Sequence, residues 1–266
     1  MLKNKYLLVE KELRPFKDPT RGNFLNLTLQ SKDGRVNGKV WEEADEVDEA
    51  VGEGDVLQIQ AIEDEFKGEP QLNIKSIEPL WGEDSSQFLP SLSDNEIDYH
   101  YDIINESLSR VNDKIVRDSV REVFYDNEDL FTKSPASTYH HHAYIGGLVE
   151  HTSEVITIVE HLCYTFGLDS DLAVAGAVVH DIGKLQVYSW DRGFFEFTEK
   201  GLAVDHIVAG YELCAKYSVP REILHIVLSH HGKKEWGSPV VPNTIEAWVV
   251  HYADFVSSRL AKEMEG

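Results

Sequence analysis

The stretch DLAVAGAVVHDIGKL, residues 171–185, decides how the larger part of this chain is read. Eight apolar or small residues, Leu172–Val179, run directly into His180 and Asp181, with Gly183 and Lys184 behind them. A run that apolar on every side belongs inside a core rather than on a surface. An adjacent His and Asp at the end of a buried segment need partners, because a buried polar group left unpaired costs several kcal/mol. A metal ion shared with neighbouring helices would supply them.

Working outward, apolar residues recur at three- and four-residue steps through residues 97–111, 113–125, 148–166, 202–217, 221–231 and 244–260. Each reads as a helix, and Pro220 stands where a helix start tolerates proline. Short connections between them predict a compact all-α bundle. His151, His180–Asp181, His206, His230–His231 and Asp254 fall on successive helices, so each can project into one bundle core. Imidazole and carboxylate suit Mn, Fe, Ni, Zn and Mg. A lone histidine on an apolar face is commonly a packed core residue; that bland reading weakens for the whole set.

The first eighty residues carry a different period. FLNLTLQ, residues 24–30, alternates Leu25, Leu27 and Leu29 with polar residues, and a turn at Asp33–Gly34 leads into Val36, Gly38 and Val40. A second hairpin points Leu57, Ile59 and Ala61 inward and continues through Leu72, Ile74 and Ile77. With residues 5–16 as an opening strand and a short acidic helix or turn at 44–55, five strands fit a small closed OB-type barrel. The expected organisation is multidomain α+β: a barrel over 1–80, a linker over 81–96 rich in Ser, Pro, Gly and Asp, and a helical domain over 97–266. Trp81 and Phe88 are candidates for docking that linker.

The 266 residues contain 47 acidic and 25 basic side chains, a net charge of −22. Such a balance counts against a non-specific duplex-DNA binder, though a metal site and a few local lysines can hold a strand inside an acidic shell. No apolar run reaches the length of a membrane helix or a signal peptide, so no membrane partner and a cytoplasmic location are expected. Cys163 and Cys214, outside any CxxC pair, read as buried thiols.

VVHDIGK resembles the signature of the HD-domain phosphohydrolases, and the order H…HD…H…HH…D is similar to their two-metal variant. HHAYIGGLVEH, HIVAGYEL and LSHHGKKEWGSPVVPNTIEAWVVHYAD resemble segments of the YhaM-type 3′→5′ exoribonucleases, which also begin with an OB-fold. The resemblance implies a metal-dependent 3′→5′ exonuclease that hydrolyses single-stranded RNA to 5′-mononucleotides by a metal-activated hydroxide, with single-stranded DNA left open as an alternative substrate. It also implies a homo-oligomer. His151, His180, Asp181 and Asp254 match the family's first metal site; His206, His230 and His231 match the second, with Asp181 as the bridge. Two divalent ions are implied, Mn²⁺ foremost, with Mg²⁺, Co²⁺, Fe²⁺ or Ni²⁺ as alternatives. Lys184 is placed to meet a phosphate oxygen, making it a catalytic candidate beside Asp181.

His142, with His141, stands before Gly146–Gly147, a pair that lets the chain pass close to something. The functional reading puts His142 at the mouth of the site, as a catalytic and phosphate-contacting residue; the alternative is a polar loop. His251, one turn before Asp254, is a candidate to orient it. Glu150 is either a partner of the site or a surface acid. Lys233, Lys234 and Trp236 suit a strand with a stacked base, or a solvated turn. On the barrel, Phe24, Trp41, Phe66, Lys67 and Lys75 are the candidate strand contacts. A second reading keeps the same metal site for a phosphohydrolase of small nucleotides (a nucleoside monophosphate, a dNTP or a cyclic nucleotide). A third makes the helical domain a non-catalytic module with a structural metal.

Overall fold

A computed structural model of the chain describes residues 1–31, 34–138, 142–190 and 193–265, without the side chains of residues 69, 261, 262, 264 and 265. The chain divides into two compact units, Met1–Pro90 with Trp190–Phe194, and Ser91–Ser189 with Phe195–Gly266. Asp33, half of the expected hairpin turn, lies outside the described residues.

The first unit is a five-stranded closed barrel of β1 (Leu2–Pro15), β2 (Asn23–Ser31), β3 (Gly34–Val40), β4 (Val56–Phe66) and β5 (Glu69–Pro79). A short helix, α1 (Ala44–Ala50), separates β3 from β4. The barrel order is β1-β2-β3-β5-β4, closed by an antiparallel β1–β4 pair, and β3 and β5 run parallel. This is the OB-type barrel that the alternation of β2 predicts: Leu25, Leu27 and Leu29 are all buried. Gly38 faces inward where the Ile74 side chain fills the space; an added Cβ would come within 2.6 Å of Ile74 Cδ1.

Two bulges explain where simple alternation breaks. In β5, Ser76 pairs with Gln60 but Ile74 pairs with Ala61, so Lys75 is an extra residue and both Ile74 and Ile77 pack on the core. In β1 the register shifts between Leu8 and Glu10, and adjacent Leu7 and Leu8 are both buried. Leu8 enters the barrel core, while Leu7 packs with Val56 and Phe88. Phe88 belongs to a single 3₁₀ turn, Ser85–Phe88, whereas Trp81 is exposed.

The second unit is helical: α2 (Asp94–Ser109), α3 (Lys114–Asp126), α4 (Glu128–Phe131), α5 (Gly147–Phe166), α6 (Asp171–Val179), α7 (Lys184–Val187), α8 (Glu199–Ala203), α9 (His206–Lys216), α10 (Arg221–Ser229) and α11 (Ile245–Glu265). A two-residue ribbon pairs β6 (Tyr188–Ser189) with β7 (Glu196–Phe197). Ser93 and Glu96 form a capping box that starts α2, and the Asp113 carboxylate caps α3. The Asp171 carboxylate accepts from the backbone N–H groups of Asn112 and Asp113 at 2.8 and 2.9 Å, tying the start of α6 to the start of α3.

Nine residues are too few to hold a helix in water. What holds α6 is burial: every residue from Ala173 to Val179 is buried, against α5, α10, α3 and α11. Gly176 allows the close approach of α10, since a Cβ there would stand 2.6 Å from Ile226 Cδ1. The consequence is positional: the end of α6 delivers His180 and Asp181 into the middle of the bundle. Among the described residues no helix is long and apolar enough to cross a membrane. Cys163 and Cys214 are both free and buried, as expected from their apolar surroundings.

Candidate metal centre

Asp181 lies at the centre of the histidine set. Its Oδ2 faces His151 Nε2 and His180 Nε2, each at 3.4 Å. Its Oδ1 faces His206 Nε2 at 3.3 Å and His230 Nε2 at 3.4 Å. The carboxylate therefore divides its two oxygens between two groups of imidazoles. Asp254 joins the first, with Oδ1 3.3 Å from His151 Nε2. His231 joins the second, its ring 4.5 Å from that of His230 and 5.1 Å from that of His206. The nitrogens of His206, His230 and His231 lie close enough to share one ion, as do the ligand atoms of His151, His180 and Asp181.

The backbone fixes which nitrogen faces inward. His180 Nδ1 donates to the Ala177 carbonyl at 2.7 Å, His230 Nδ1 to that of Val227 at 2.8 Å, and His231 Nδ1 to that of Trp236 at 2.7 Å. A carbonyl only accepts, so each Nδ1 carries the proton and a neutral ring turns its Nε2 lone pair inward. His206 Nδ1 faces the Asp205 carboxylate at 3.1 Å. His151 Nδ1 lies 3.0 Å from Ser257 Oγ, which donates to Glu154 Oε2 at 2.6 Å. Outer partners of this kind orient metal-ligating histidines.

The inward atoms fit a cation. Asp181 Oδ1, His206 Nε2 and His230 Nε2 are buried and have no hydrogen-bond partner among the described residues, although they face one another. Lone pairs aimed at a carboxylate oxygen at such distances repel unless positive charge lies among them. Imidazole and carboxylate together suit a divalent transition metal or Mg²⁺.

Charge in the metal-free site follows. Burial opposes a charge on His151, yet the Asp181 and Asp254 carboxylates outweigh it and raise its pKa to about 9. Burial and the neighbouring histidines push His231 down to about 4. Burial disfavours ionised Asp181, but Lys184 and His180 hold it well below the usual carboxylate range. Lys184 is itself buried, with Nζ 2.5 Å from Asp181 Oδ2.

A divalent ion on His151 must displace a proton wherever the pH lies below about 9. Apparent metal affinity should therefore rise with pH up to about 9, with proton release on binding. Calorimetric metal titrations at several pH values, in buffers of different ionisation enthalpy, measure both; affinity independent of pH would contradict it. The stability linkage has the opposite sense. In the metal-free fold the raised His151 pKa contributes stability that is full below about 6.5 and is lost as pH climbs through about 9. Ser257→Ala should lower metal affinity roughly 10- to 100-fold, the usual cost of losing an outer partner, with little change in far-UV circular dichroism. Unchanged affinity would remove Ser257 from the site.

The centre opens into a cavity of about 430 Å³ lined by Asp181, Lys184, His206, His231 and Asp254, and further by Tyr188, Trp236, Phe255 and Arg259. Lys233 places its Nζ 4.4 Å from the Trp236 ring centroid, and exposed Lys234 begins the same 3₁₀ turn. His142 is only 2% exposed, at φ 55°, with its ring centroid 5.6 Å from that of His151. Its Nε2 lies 3.5 Å from Glu154 Oε2 and 3.8 Å from Glu150 Oε2. The Gly146–Gly147 pair is explained by this loop: a Cβ on Gly147 would overlap the His142 carbonyl oxygen, which accepts from Ala136 N–H at 3.0 Å. His141 and His140 lie outside the described residues. Glu150 accepts from the Tyr144 hydroxyl. His251 gives its Nδ1 to the His230 carbonyl at 2.7 Å, so the residue it braces is His230 rather than the Asp254 that sequence spacing suggests.

On the barrel, Phe24 and Trp41 join Phe16 in one ring cluster, with centroids 5.1 to 5.9 Å apart. Lys39 Nζ reaches over the rings of Phe24, Trp41 and Phe66 at 5.2 to 5.4 Å, and Lys67 over Phe66 at 5.4 Å. Lys75 is the exposed extra residue of the β5 bulge. Sequence reading missed Phe16 and Lys39 there, and Glu154, Ser257, Tyr188, Phe255 and Arg259 around the centre. Phe255 follows Asp254 directly, and Glu154 and Ser257 stand one helical turn beyond His151 and Asp254; that spacing was the available signal.

Residues 148–258 match the HD domain family model. Over nearly its full length the chain is similar to proteins named 3′-5′ exoribonuclease YhaM. The Listeria innocua protein is 28% identical over 258 residues, covering 89% of this chain and 79% of that protein. That of Shouchella clausii is 28% identical over 271 residues, covering 96% and 83%. That of Bacillus subtilis is 25% identical over 276 residues, covering 97% and 85%. The helical unit thus resembles an HD domain over residues 148–258 and follows an OB-type barrel in the sequence; its His/Asp clusters could hold a divalent metal, on which HD domains depend.

Proposed function

We propose that this chain is a divalent-metal-dependent phosphodiesterase that shortens single-stranded RNA from the 3′ end and releases 5′-mononucleotides, with single-stranded DNA as the alternative substrate. The observation that carries the reading is Asp181, whose two oxygens face two separate groups of histidines. His151, His180, Asp181 and Asp254 would hold one ion; His206, His230, His231 and Asp181 would hold the other. Bound there, two ions lower the pKa of a water and neutralise phosphate oxygens.

The chain's own residues do the rest. The Nδ1 hydrogen bonds of His180, His230 and His231 keep their rings from turning as charge changes at the centre. Lys184 keeps Asp181 ionised and, from the cavity wall, meets a non-bridging phosphate oxygen. The bond between phosphorus and the 3′-oxygen of the upstream nucleotide breaks. A water oxygen takes its place on phosphorus, and a hydrogen from that water ends on the departing 3′-oxygen. Residues 97–266 carry this chemistry. Residues 1–80 hold the strand through Phe24, Trp41 and Phe66, with Lys67 at the rim; OB-type barrels hold single strands on aromatic and basic faces of this kind.

The reading is tested with a 5′-labelled single strand, as RNA and as DNA, in Mn²⁺ and in Mg²⁺. A ladder shortening one nucleotide at a time, with 5′-mononucleotides as product, is expected. Internal cuts, or dephosphorylation of mononucleotides in preference to strand shortening, would overturn it and favour the small-nucleotide phosphohydrolase.

A further inference from the structure

The cavity beside Asp181 and Asp254 has an aromatic wall that metal binding does not explain. Trp236 and Phe255 hold their rings within 9° of parallel, with centroids 5.8 Å apart. They are 45% and 37% exposed, and both line the cavity. Each is tied to a ligand residue. The Trp236 carbonyl accepts from His231 Nδ1, and Phe255 follows Asp254 on α11. Lys233 Nζ sits 4.4 Å from the Trp236 centroid, and Arg259 Cζ 5.4 Å from that of Phe255. Exposed rings fixed next to metal ligands, with flexible cations against them, are a surface on which a flat ring system stacks.

We propose that Trp236 and Phe255 form the subsite for the base of the nucleotide being released, with Arg259 and Lys233 at its edges; this rests on the phosphodiesterase reading above. A phosphate has no use for two indole- or phenyl-sized faces, whereas every base carries a flat π-face to lay against them. Stacking also answers the charge of −22, which repels a polyanion at long range. Base stacking takes neutral surface, so it adds affinity that the protein's acidity does not oppose. Such a subsite accepts any base but requires it unpaired, because a base inside a duplex has both faces covered.

The test is equilibrium binding of CMP and AMP against ribose 5-phosphate, in Mn²⁺, by calorimetry. The three share a phosphate and a sugar, and only the base differs. Wild-type protein should bind the nucleotides roughly ten-fold or more tightly than ribose 5-phosphate, in line with the usual worth of one base stack. Trp236→Ala and Phe255→Ala should abolish that preference while leaving ribose 5-phosphate affinity in place, and Trp236→Phe and Phe255→Tyr should restore it. Equal or absent binding of all three ligands by wild type, or a preference that survives both alanine variants, overturns the proposal. So does loss of ribose 5-phosphate affinity along with nucleotide affinity, which would mark a structural role. A change in oligomeric state with the base preference intact would assign the rings to a subunit contact instead. A base preference that persists while no strand is shortened would refute the strand-degrading reading and leave the subsite standing.

Discussion

Asp181→Ala should abolish metal-dependent strand shortening, lowering kcat/KM by at least about 10³-fold. This exceeds the 10- to 100-fold typical of losing an outer partner, because both ion positions lose a ligand at once. In the structure the four imidazoles within 3.4 Å of this carboxylate divide two and two over its oxygens, so its removal reaches both groups of histidines. The variant carries a second cost. Lys184 keeps its buried ammonium 2.5 Å from Asp181 Oδ2, and without that partner a buried charge is left uncompensated, at about 3–5 kcal/mol. Asp181→Ala is therefore paired with Asp181→Asn, which keeps the volume but not the negative charge, and with thermal unfolding of each. Strand shortening undiminished in either folded variant would remove Asp181 from the mechanism.

Gly183→Ala should be strongly destabilising, its added methyl group making the shortest contact among the described glycines, with the His206 carbonyl oxygen. An added Cβ would overlap the His206 carbonyl oxygen and press on the backbone of Gly210, where the start of α7 crosses α9. Backbone cannot swing aside as a side chain can, so α9 must move, and His206 begins α9. We expect a loss of about 3–5 kcal/mol, as for other overpacked cores at the severe end, or a fall in Tm on the order of 10 °C for a unit of this size. Metal uptake at the second group of histidines should fall with it. Gly52→Ala is the control: its Cβ would make ordinary contact, 3.7 Å from Asp55 Oδ2, and Tm should barely change. Equal Tm values for the two variants by scanning calorimetry would contradict the close-packed account of the α7–α9 crossing.

Much of this was legible in the sequence because the relevant signals are chemical or periodic. Leu25, Leu27 and Leu29 alternate because one face of β2 is buried, and a period of two needs no structure to be seen. The apolar run before His180 could only be a core helix, and it is. Less legible was anything set by a register shift or by contact across helices. Ile74 and Ile77 can both be read as inward from their apolar character, but nothing in the residue types marks Lys75 as the extra residue of the bulge that permits it. The barrel's parallel β3–β5 pair and its closure through β1 and β4 join strands far apart in sequence. Around the candidate metal centre, histidine and aspartate announce themselves, whereas Ser257, Phe255 and Arg259 are ordinary residues on a helix until α11 is folded against the cavity. His142 shows the converse. The glycine pair suggests a close backbone approach, and Gly147 makes one at the His142 carbonyl, but the same crossing buries the His142 ring beside His151 rather than leaving it at an open mouth or in a polar loop.

The central claim is that one carboxylate serves two ions. Crystals of the protein grown with Mn²⁺, with anomalous differences measured near the manganese edge, test it most directly. The account predicts two peaks per chain on opposite oxygens of Asp181, one beside His151, His180 and Asp254, the other beside His206, His230 and His231. A single peak at full occupancy, or two peaks of which neither touches Asp181, would contradict it.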